Sequence, residues 1–160
     1  MANEISEPRA KLVKNVIGKF GVITGDGRDI ASHGRTFDAI LADVPCTGLG
    51  ALRRRPEVRW RRTLKDLAPL LQLQLELSDA AISVLNPGGF FGYATCSPHF
   101  AETSGQVRQI LKKHPELSLI DITSALPVGL NEGTREGSLS LWGHRHNTDS
   151  MFLAIFQKSN

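Results

Sequence analysis

The sequence predicts an α/β fold, a mostly parallel sheet flanked by helices and closed by an antiparallel hairpin at its carboxyl end. Three observations predict it. Short apolar runs alternate with stretches whose apolar residues recur at helical spacing. The earlier runs open into loops of glycine, proline or acidic residues, as strands do at their ends. The last part of the chain holds two alternating runs separated by a polar turn, the pattern of a hairpin.

Taken in order, "ISEPRAKLVKNVIGK" (5–19) reads as an amphipathic helix, with Leu12, Val13, Val16 and Ile17 as its apolar stripe and Pro8 in its first turn. "GVIT" (21–24) is a short buried strand followed by the turn "GDGRD" (25–29). "FDAILAD" (37–43) is a second strand that ends in an acid, and "VPCTGLG" (44–50) is its loop. From about Leu67 to Leu85 the residues Leu70, Leu73, Leu77, Ala80, Ala81 and Val84 share one helical face, and "NPGG" (86–89) stops the helix. "GFFGYAT" (89–95) is the third strand, and a helix follows from about Ala101 to Lys113. "LSLIDI" (117–122) is a further strand. "SLSLWGHR" (138–145) and "SMFLAIFQ" (150–157) form the hairpin.

At 160 residues the chain suits one domain with a real core. Hydrophobic residues make up 41% and charged residues 22%, ordinary proportions that exclude a disordered or membrane-embedded class. No apolar run reaches the roughly 18 residues of a membrane span, and "MANEISEPRAK" lacks signal-peptide character, so a cytoplasmic protein with no membrane partner is expected. Thiols stay reduced there. Two cysteines alone cannot complete a zinc site, and none of the five histidines stands at a metal-ligand spacing from either, so no metal is expected.

Net charge is +3, and its distribution says more than its size. "LRRRPEVRWRRTLK" (52–65) carries seven of the 19 lysines and arginines. Arginine forks suit phosphate oxygens, and Trp60 among them could stack on a base or pack inward. A solvated basic face is the plainer reading. The position directly after "PCTGLGA" favours a nucleic-acid contact.

In parallel sheets ligands bind beyond the carboxyl ends of the strands. The loops "GDGRD", "DVPC" and "TCSP" all lie at such ends, so Cys46 and Cys96, the only cysteines, should be neighbours in one crevice. A reduced pocket with two thiols and the carboxylate of Asp43 suits nucleophilic chemistry. Singly, each residue has a duller reading: a free cysteine is often a small core hydrophobe, and Asp43 could cap its loop. His99, His144 and His146 fit surface or packing roles.

"FDAILADVPCTGLGALRRRPEVRW" and "LNPGGFFGYATCSPHFAE" closely resemble two signature blocks of RNA cytosine-5 methyltransferases of the Sun/Fmu (NOL1/NOP2/Sun) family, most nearly its bacterial 16S ribosomal RNA members. The closing "HRHNTDSMFLAIFQK" is similar to the family's last strand pair, so the resemblance spans about Ala2 to Lys158. It implies a Rossmann-like fold and methylation of cytosine C5 in RNA by S-adenosyl-L-methionine. By resemblance Cys96 is the nucleophile that adds to cytosine C6, Cys46 assists product release, and Asp43 contacts the cytosine amino group and ring nitrogen and borders the cofactor. Glu4 resembles the acid that accepts from the ribose hydroxyls and Asp26 the residue on the adenine amino group, with Gly25 and Gly27 allowing close approach. Pro45 matches the residue whose backbone faces the target base. Arg53, Arg54, Arg59 and Arg61 are implied RNA contacts, and Glu102 resembles the acid after the TCS loop. Ribosomal RNA is the first partner implied and tRNA the second.

The resemblance also implies parts this sequence lacks. Met1 stands three residues before Glu4, so residues 1–160 are expected to be the carboxy-terminal portion of the catalytic domain, without the first strand, most of the second, the glycine-rich loop and the amino-terminal RNA-binding domain. The family's strand order, 3-2-1-4-5-7-6, would leave the "FDAILAD" edge exposed. "GVIT" would then pair with another edge, or the chain would self-associate. A non-catalytic RNA-interaction fragment that cannot hold cofactor is the competing function. A thiol redox protein is the third, disfavoured by the lack of Cys-x-x-Cys spacing.

Overall fold

The computed structural model describes every residue except Lys19. In chain order it comprises β1 (Ala2–Glu4), α1 (Glu7–Ile17), β2 (Val22–Thr24), a 3-10 segment (Gly27–His33), β3 (Phe37–Asp43), α2 (Val58–Arg61), α3 (Leu64–Ser83) and β4 (Leu85–Thr95). Then come α4 (Ser104–Lys113), β5 (Leu117–Ile120), β6 (Thr134–Arg135), β7 (Ser138–Leu141), α5 (Gly143–His146) and β8 (Met151–Lys158). No helix among the described residues is long and apolar enough to cross a membrane.

The strands form two sheets. β1 and β2 pair in parallel, and a six-stranded sheet runs β3-β4-β8-β7-β6 with β5 also on β8. β3 and β4 are parallel, β8 runs against β4, and β5 and β7 run against β8. Thus β3, β4, β5 and β7 point one way and β8 and the short β6 the other. Four strands share one direction, as the alternating pattern predicts, but β8 lies among them. In this sheet only the β3–β4 ladder is therefore parallel, and β7–β8 is the expected antiparallel hairpin.

The core sits where β4 and β8 cross the centre of the sheet. Phe91, Tyr93, Ala154 and Phe156 are fully buried there, with Ile82 of α3 and Ile110 of α4 packed against them. Phe91 and Phe156 are register partners, and their rings stack with centroids 5.8 Å apart. Such a pair adds about 0.5–1.5 kcal/mol beyond its burial. Thr63 and Asp66 form a reciprocal capping box that starts α3 three residues before the expected Leu67.

Several boundaries differ from expectation for local reasons. The "NPGG" stretch belongs to β4 rather than to a helix stop. Phe37 N–H donates to Val84 O (2.9 Å) and Asn86 Nδ2 to Asp38 Oδ1 (2.8 Å), which draws this stretch onto β3. The register shifts between Phe37 and Ala39, where Gly88 takes φ +73°. The strand expected over 138–145 ends at Leu141, because Trp142 N–H donates to His146 Nδ1 (2.9 Å) and closes the single turn α5.

The helix expected over 5–19 spans Glu7–Ile17, and its last expected residue, Lys19, lies outside the described residues. Its proposed stripe is half wrong. Leu12 and Val16 are 65% and 85% exposed, and only Ala10 is buried. A two-stranded sheet is too narrow to cover the whole apolar face of a helix. β2 does find another edge, that of β1, with Glu4 opposite Thr24. β3 pairs on one side only and its Leu41 is 68% exposed, as expected of an open edge.

Candidate active site

Two parallel strands ending in register create the site. Asp43, the last residue of β3, lies opposite Ala94 of β4, and Val44 N–H still donates to Ala94 O (3.0 Å). Past these strand ends, Pro45–Cys46 and Cys96–Ser97 leave the sheet side by side. Fifty residues of sequence thereby reduce to a Cys46 Sγ–Cys96 Sγ contact of 3.4 Å, with both thiols free. Cys46 is buried and Cys96 half-buried. The two cysteines are neighbours, as the strand-end rule required, though Cys46 lies among the buried core residues.

One buried acid ties the two loops together. Glu102, with no exposed surface, accepts from Thr47 N–H (2.8 Å), Thr47 Oγ1 (2.5 Å), Ser97 Oγ (2.5 Å) and Gln74 Nε2 (3.1 Å). Four donors meeting one carboxyl suit an acceptor with two oxygens and about four lone-pair sites. Gln74 also donates to Pro45 O (2.9 Å), so the turn before Cys46 is held from both sides. Tyr93 OH donates to Gln74 Oε1 (3.1 Å) or Glu102 O (2.9 Å), and Gln106 Nε2 donates to Gln74 Oε1 (3.0 Å). Core, helix and both thiol loops thus share one hydrogen-bond network.

Gly50 closes the assembly. Its N–H donates to Cys96 O (2.9 Å), and its own carbonyl accepts from Ser150 N–H (3.0 Å). A Cβ here would stand 2.6 Å from Cys96 O and collide with Ser150 O, so no side chain fits. The loop before β8 is clamped again by Arg54, whose guanidinium grips Asp149 through both carboxylate oxygens.

The thiol pair is electrostatically asymmetric. The hydrogen bond from the Cys96 thiol, helped by the Gly48 N–H, lowers Cys46 to about 6. Cys96 is pushed up because it faces the Cys46 thiolate, is partly buried and feels the Asp43 carboxylate. The contact thus favours the thiolate on Cys46 and the proton on Cys96. Asp43 opens to solvent at the end of β3, yet partial burial of its carboxyl raises its pKa.

The other expected site residues divide. Glu4 and Asp26 meet at the carboxyl end of the β1–β2 sheet, where Gly25 N–H donates to Glu4 O (3.2 Å). Glu4 Oε1 accepts from Arg9 (2.7 Å) and Ser6 N–H (2.8 Å). Asp26 is bracketed by Arg28 (2.6 Å), whose hydrogen bonds hold its carboxyl down at about 2. Arg28 also reaches Glu76 of α3 (2.9 Å) and so ties this edge to the large sheet's covering helix. Of the two glycines, Gly27 is closely approached, by Leu77 and Asn3, while nothing lies near a Cβ on Gly25.

Pro45 is exposed beside the thiols. Arg53 donates to Asn147 Oδ1 (2.8 Å) and Arg54 is paired with Asp149, so these two brace the loop. Arg59 and Arg61 point outward from α2, Arg59 lying 5.1 Å over the Trp60 ring. Trp60 is 79% exposed, which rules out inward packing. His99 accepts from Ala101 N–H (3.2 Å), a capping role.

Sequence reasoning missed Gln74, Tyr93, Gln106 and Gly50 as organisers of this site. Gln74 had a signal, a polar residue falling within the buried part of α3, where a lone amide needs buried partners.

The chain matches the family described as 16S rRNA methyltransferase RsmB/F over residues 1–157. It is 53% identical over 124 residues to a Mycobacterium tuberculosis protein named as a methyltransferase, covering 76% of this chain and 26% of that one. It is 35% identical to the ribosomal RNA small subunit methyltransferase B of Pectobacterium carotovorum, covering 99% of this chain and 36% of that one. Among solved structures, NSun6 from Pyrococcus horikoshii with SFG superposes with a TM-score of 0.83 at 25% identity, over 99% of this chain and 41% of that one. The chain spans about a quarter to a third of the length of these curated relatives.

Proposed function

The chain belongs to the 16S rRNA methyltransferase RsmB/F family, and from that membership we propose that it carries the catalytic centre for methylation of cytosine C5 in RNA, with ribosomal RNA as the substrate class. S-adenosyl-L-methionine is the methyl donor of this family and supplies the transferable methyl group. The observation that carries the proposal is the pair of thiols at 3.4 Å, held by a buried acid at the carboxyl ends of adjacent parallel strands.

The residues present fit the donor. Glu4 uses only Oε1 for its partners among the described residues, which leaves Oε2 to accept from a ribose hydroxyl. Asp26 lies on the same edge and stays ionised throughout the physiological range, an acceptor for an amino group. Asp43, at the end of β3, is close enough to the thiols for its charge to act on Cys96.

The proposed steps follow the proton inventory. Cytosine C5 is a poor nucleophile until C6 carries an electron-donating adduct. Cys96 Sγ adds to C6 while its proton passes across the sulfur contact to the Cys46 thiolate. Asp43, with its raised pKa, donates to the ring nitrogen, so electron density collects at C5, which takes the methyl group. Cys46 gives the acquired proton up to solvent and then accepts the C5 proton. Expulsion of Cys96 as a thiolate, with the ring-nitrogen proton returning to Asp43, restores the neutral aromatic base. Pro45, its carbonyl fixed by Gln74, lines the base, and Arg59 and Arg61 meet the RNA backbone, while Arg53 and Arg54 act chiefly by holding the 147–149 loop.

RNA interaction without methyl transfer is the second reading. It is favoured by the cations on the cofactor acids, Arg9 on Glu4 and Arg28 on Asp26. Calorimetric titration of S-adenosyl-L-methionine and S-adenosylhomocysteine into the chain separates the two. Micromolar binding, weakened at least tenfold by Glu4→Gln, supports the catalytic reading, and 5-methylcytidine in digests of treated small-subunit rRNA completes it. Absence of binding, with RNA still retained, supports the second.

A further inference from the structure

A cleft opens beside the loop that follows Cys96. It begins at Ser97–Pro98, the residues directly after Cys96, and is bounded by Phe100, Arg135, Ser140 and Trp142. Its volume is about 210 Å³, below the roughly 300–1,000 Å³ of a drug-sized pocket. That is room for a single heterocycle.

Its lining is ill-suited to a structural role and well suited to a nucleobase. Phe100 is 59% exposed and Trp142 36% exposed, two large aromatic rings left in water beside the crevice. Base–aromatic stacking uses such faces and tolerates any base. The hydroxyls of Ser104 and Ser140, also at the cleft, have no hydrogen-bond partner among the described residues, so they are available to base edges. Charge completes the fit. Arg135 is exposed at the rim, and Arg108 stands 5.5 Å over the Phe100 ring. Glu102 lies beneath the cleft, fully buried and bonded to Ser97. At the rim Glu136 meets Arg108 at 4.0 Å with both side chains largely exposed, which leaves Arg135 to make the rim positive.

We propose that this cleft between the Cys96 loop and the Trp142 turn is a second base-binding subsite, which stacks the nucleotide flanking the target cytosine in single-stranded RNA and sets its phosphate against Arg135. The proposal rests on the RNA-substrate reading above. It gives the centre a way to hold a substrate strand on both sides of Cys96, with Arg59 and Arg61 of α2 tracking the backbone beyond.

The chain has only two tryptophans, Trp60 and Trp142, so each can be made the sole reporter. In Trp60→Phe, titration with a short single-stranded RNA bearing one central cytosine should quench Trp142. An abasic nucleotide beside the cytosine should remove that quenching, while in Trp142→Phe the quenching of Trp60 by the same abasic RNA persists. Arg135→Ala and Trp142→Ala should each weaken binding about fivefold to a hundredfold. Quenching of Trp60 with Trp142 unaffected would overturn the subsite and leave RNA binding intact. Quenching of Trp142 indifferent to abasic substitution at either neighbour would also overturn it. Silence from both tryptophans would remove the RNA reading itself and the subsite with it.

Discussion

Replacing Glu102 with alanine should loosen the site from beneath, and the cost can be worked from its four hydrogen bonds. Of the four donors, the Thr47 and Ser97 hydroxyls lie 3.3 Å apart and can turn toward each other, and the Gln74 amide keeps Pro45 O. The Thr47 N–H cannot turn, and Thr47 is buried. The stranded Thr47 N–H costs about 1–3 kcal/mol. With about 2 kcal/mol for the cavity left by the missing atoms, the sum is about 3–5 kcal/mol. At roughly 2–4 °C per kcal/mol for a chain of this size, Tm should fall by about 6–20 °C. Glu102→Gln keeps one oxygen for Thr47 N–H and Gln74, and both hydroxyls can reverse to accept from its amide, so it should cost less than about 1.5 kcal/mol. Urea and thermal denaturation of the three proteins measure this directly. An alanine variant within 1 kcal/mol of the parent, or a glutamine variant as unstable as alanine, would refute the network as the support of the thiol loops.

Three further outcomes follow from the same geometry. Cys46 should alkylate with iodoacetamide along a pH curve centred near 6, and Cys96→Ala should move that centre up toward the ordinary thiol range by removing the hydrogen bond that stabilises the thiolate; a curve unmoved by the substitution would disprove the coupling. Gly50→Ala should destabilise by about 1–3 kcal/mol in urea, because its Cβ meets two backbone carbonyls, while Gly25→Ala, with open space around it, should stay within about 0.5 kcal/mol. Asp26 has its folded pKa depressed, so its contribution is present above the ordinary carboxylate range and disappears as pH falls through about 2; carboxyl NMR titration should show this, with Arg28→Ala returning Asp26 toward the ordinary value near 4.

Much of this was legible in the sequence because parallel strands have simple rules. "FDAILAD" and "GFFGYAT" each carry a thiol just past the strand end, and placing them as neighbours was enough to predict the crevice. The capping pair Thr63 and Asp66 was also written plainly, though it was not used. What the sequence did not disclose are contacts made across long separations. Glu102 meets Thr47 from 55 residues away and Arg54 meets Asp149 from 95, and neither pairing leaves a periodic trace. The α1 stripe misled for the opposite reason. Periodicity reports which face a helix could bury, and Leu12 and Val16 have no layer here to bury it against. The arginine run likewise showed charge without direction, and only packing separates Arg53 and Arg54, which brace a loop, from Arg59 and Arg61, which face outward.

The most direct test of the central claim is covalent trapping on RNA. Cys46→Ala, incubated with S-adenosyl-L-methionine and small-subunit rRNA fragments, should accumulate a slow-migrating protein–RNA species. Cys96, no longer facing the Cys46 thiolate that raises its pKa, gives its proton to solvent and still adds to C6, while release stalls without the group that takes the C5 proton. Cys96→Ala and the double variant should give none. An adduct formed by Cys96→Ala, or normal turnover by Cys46→Ala without any adduct, would contradict the assignment of the two thiols.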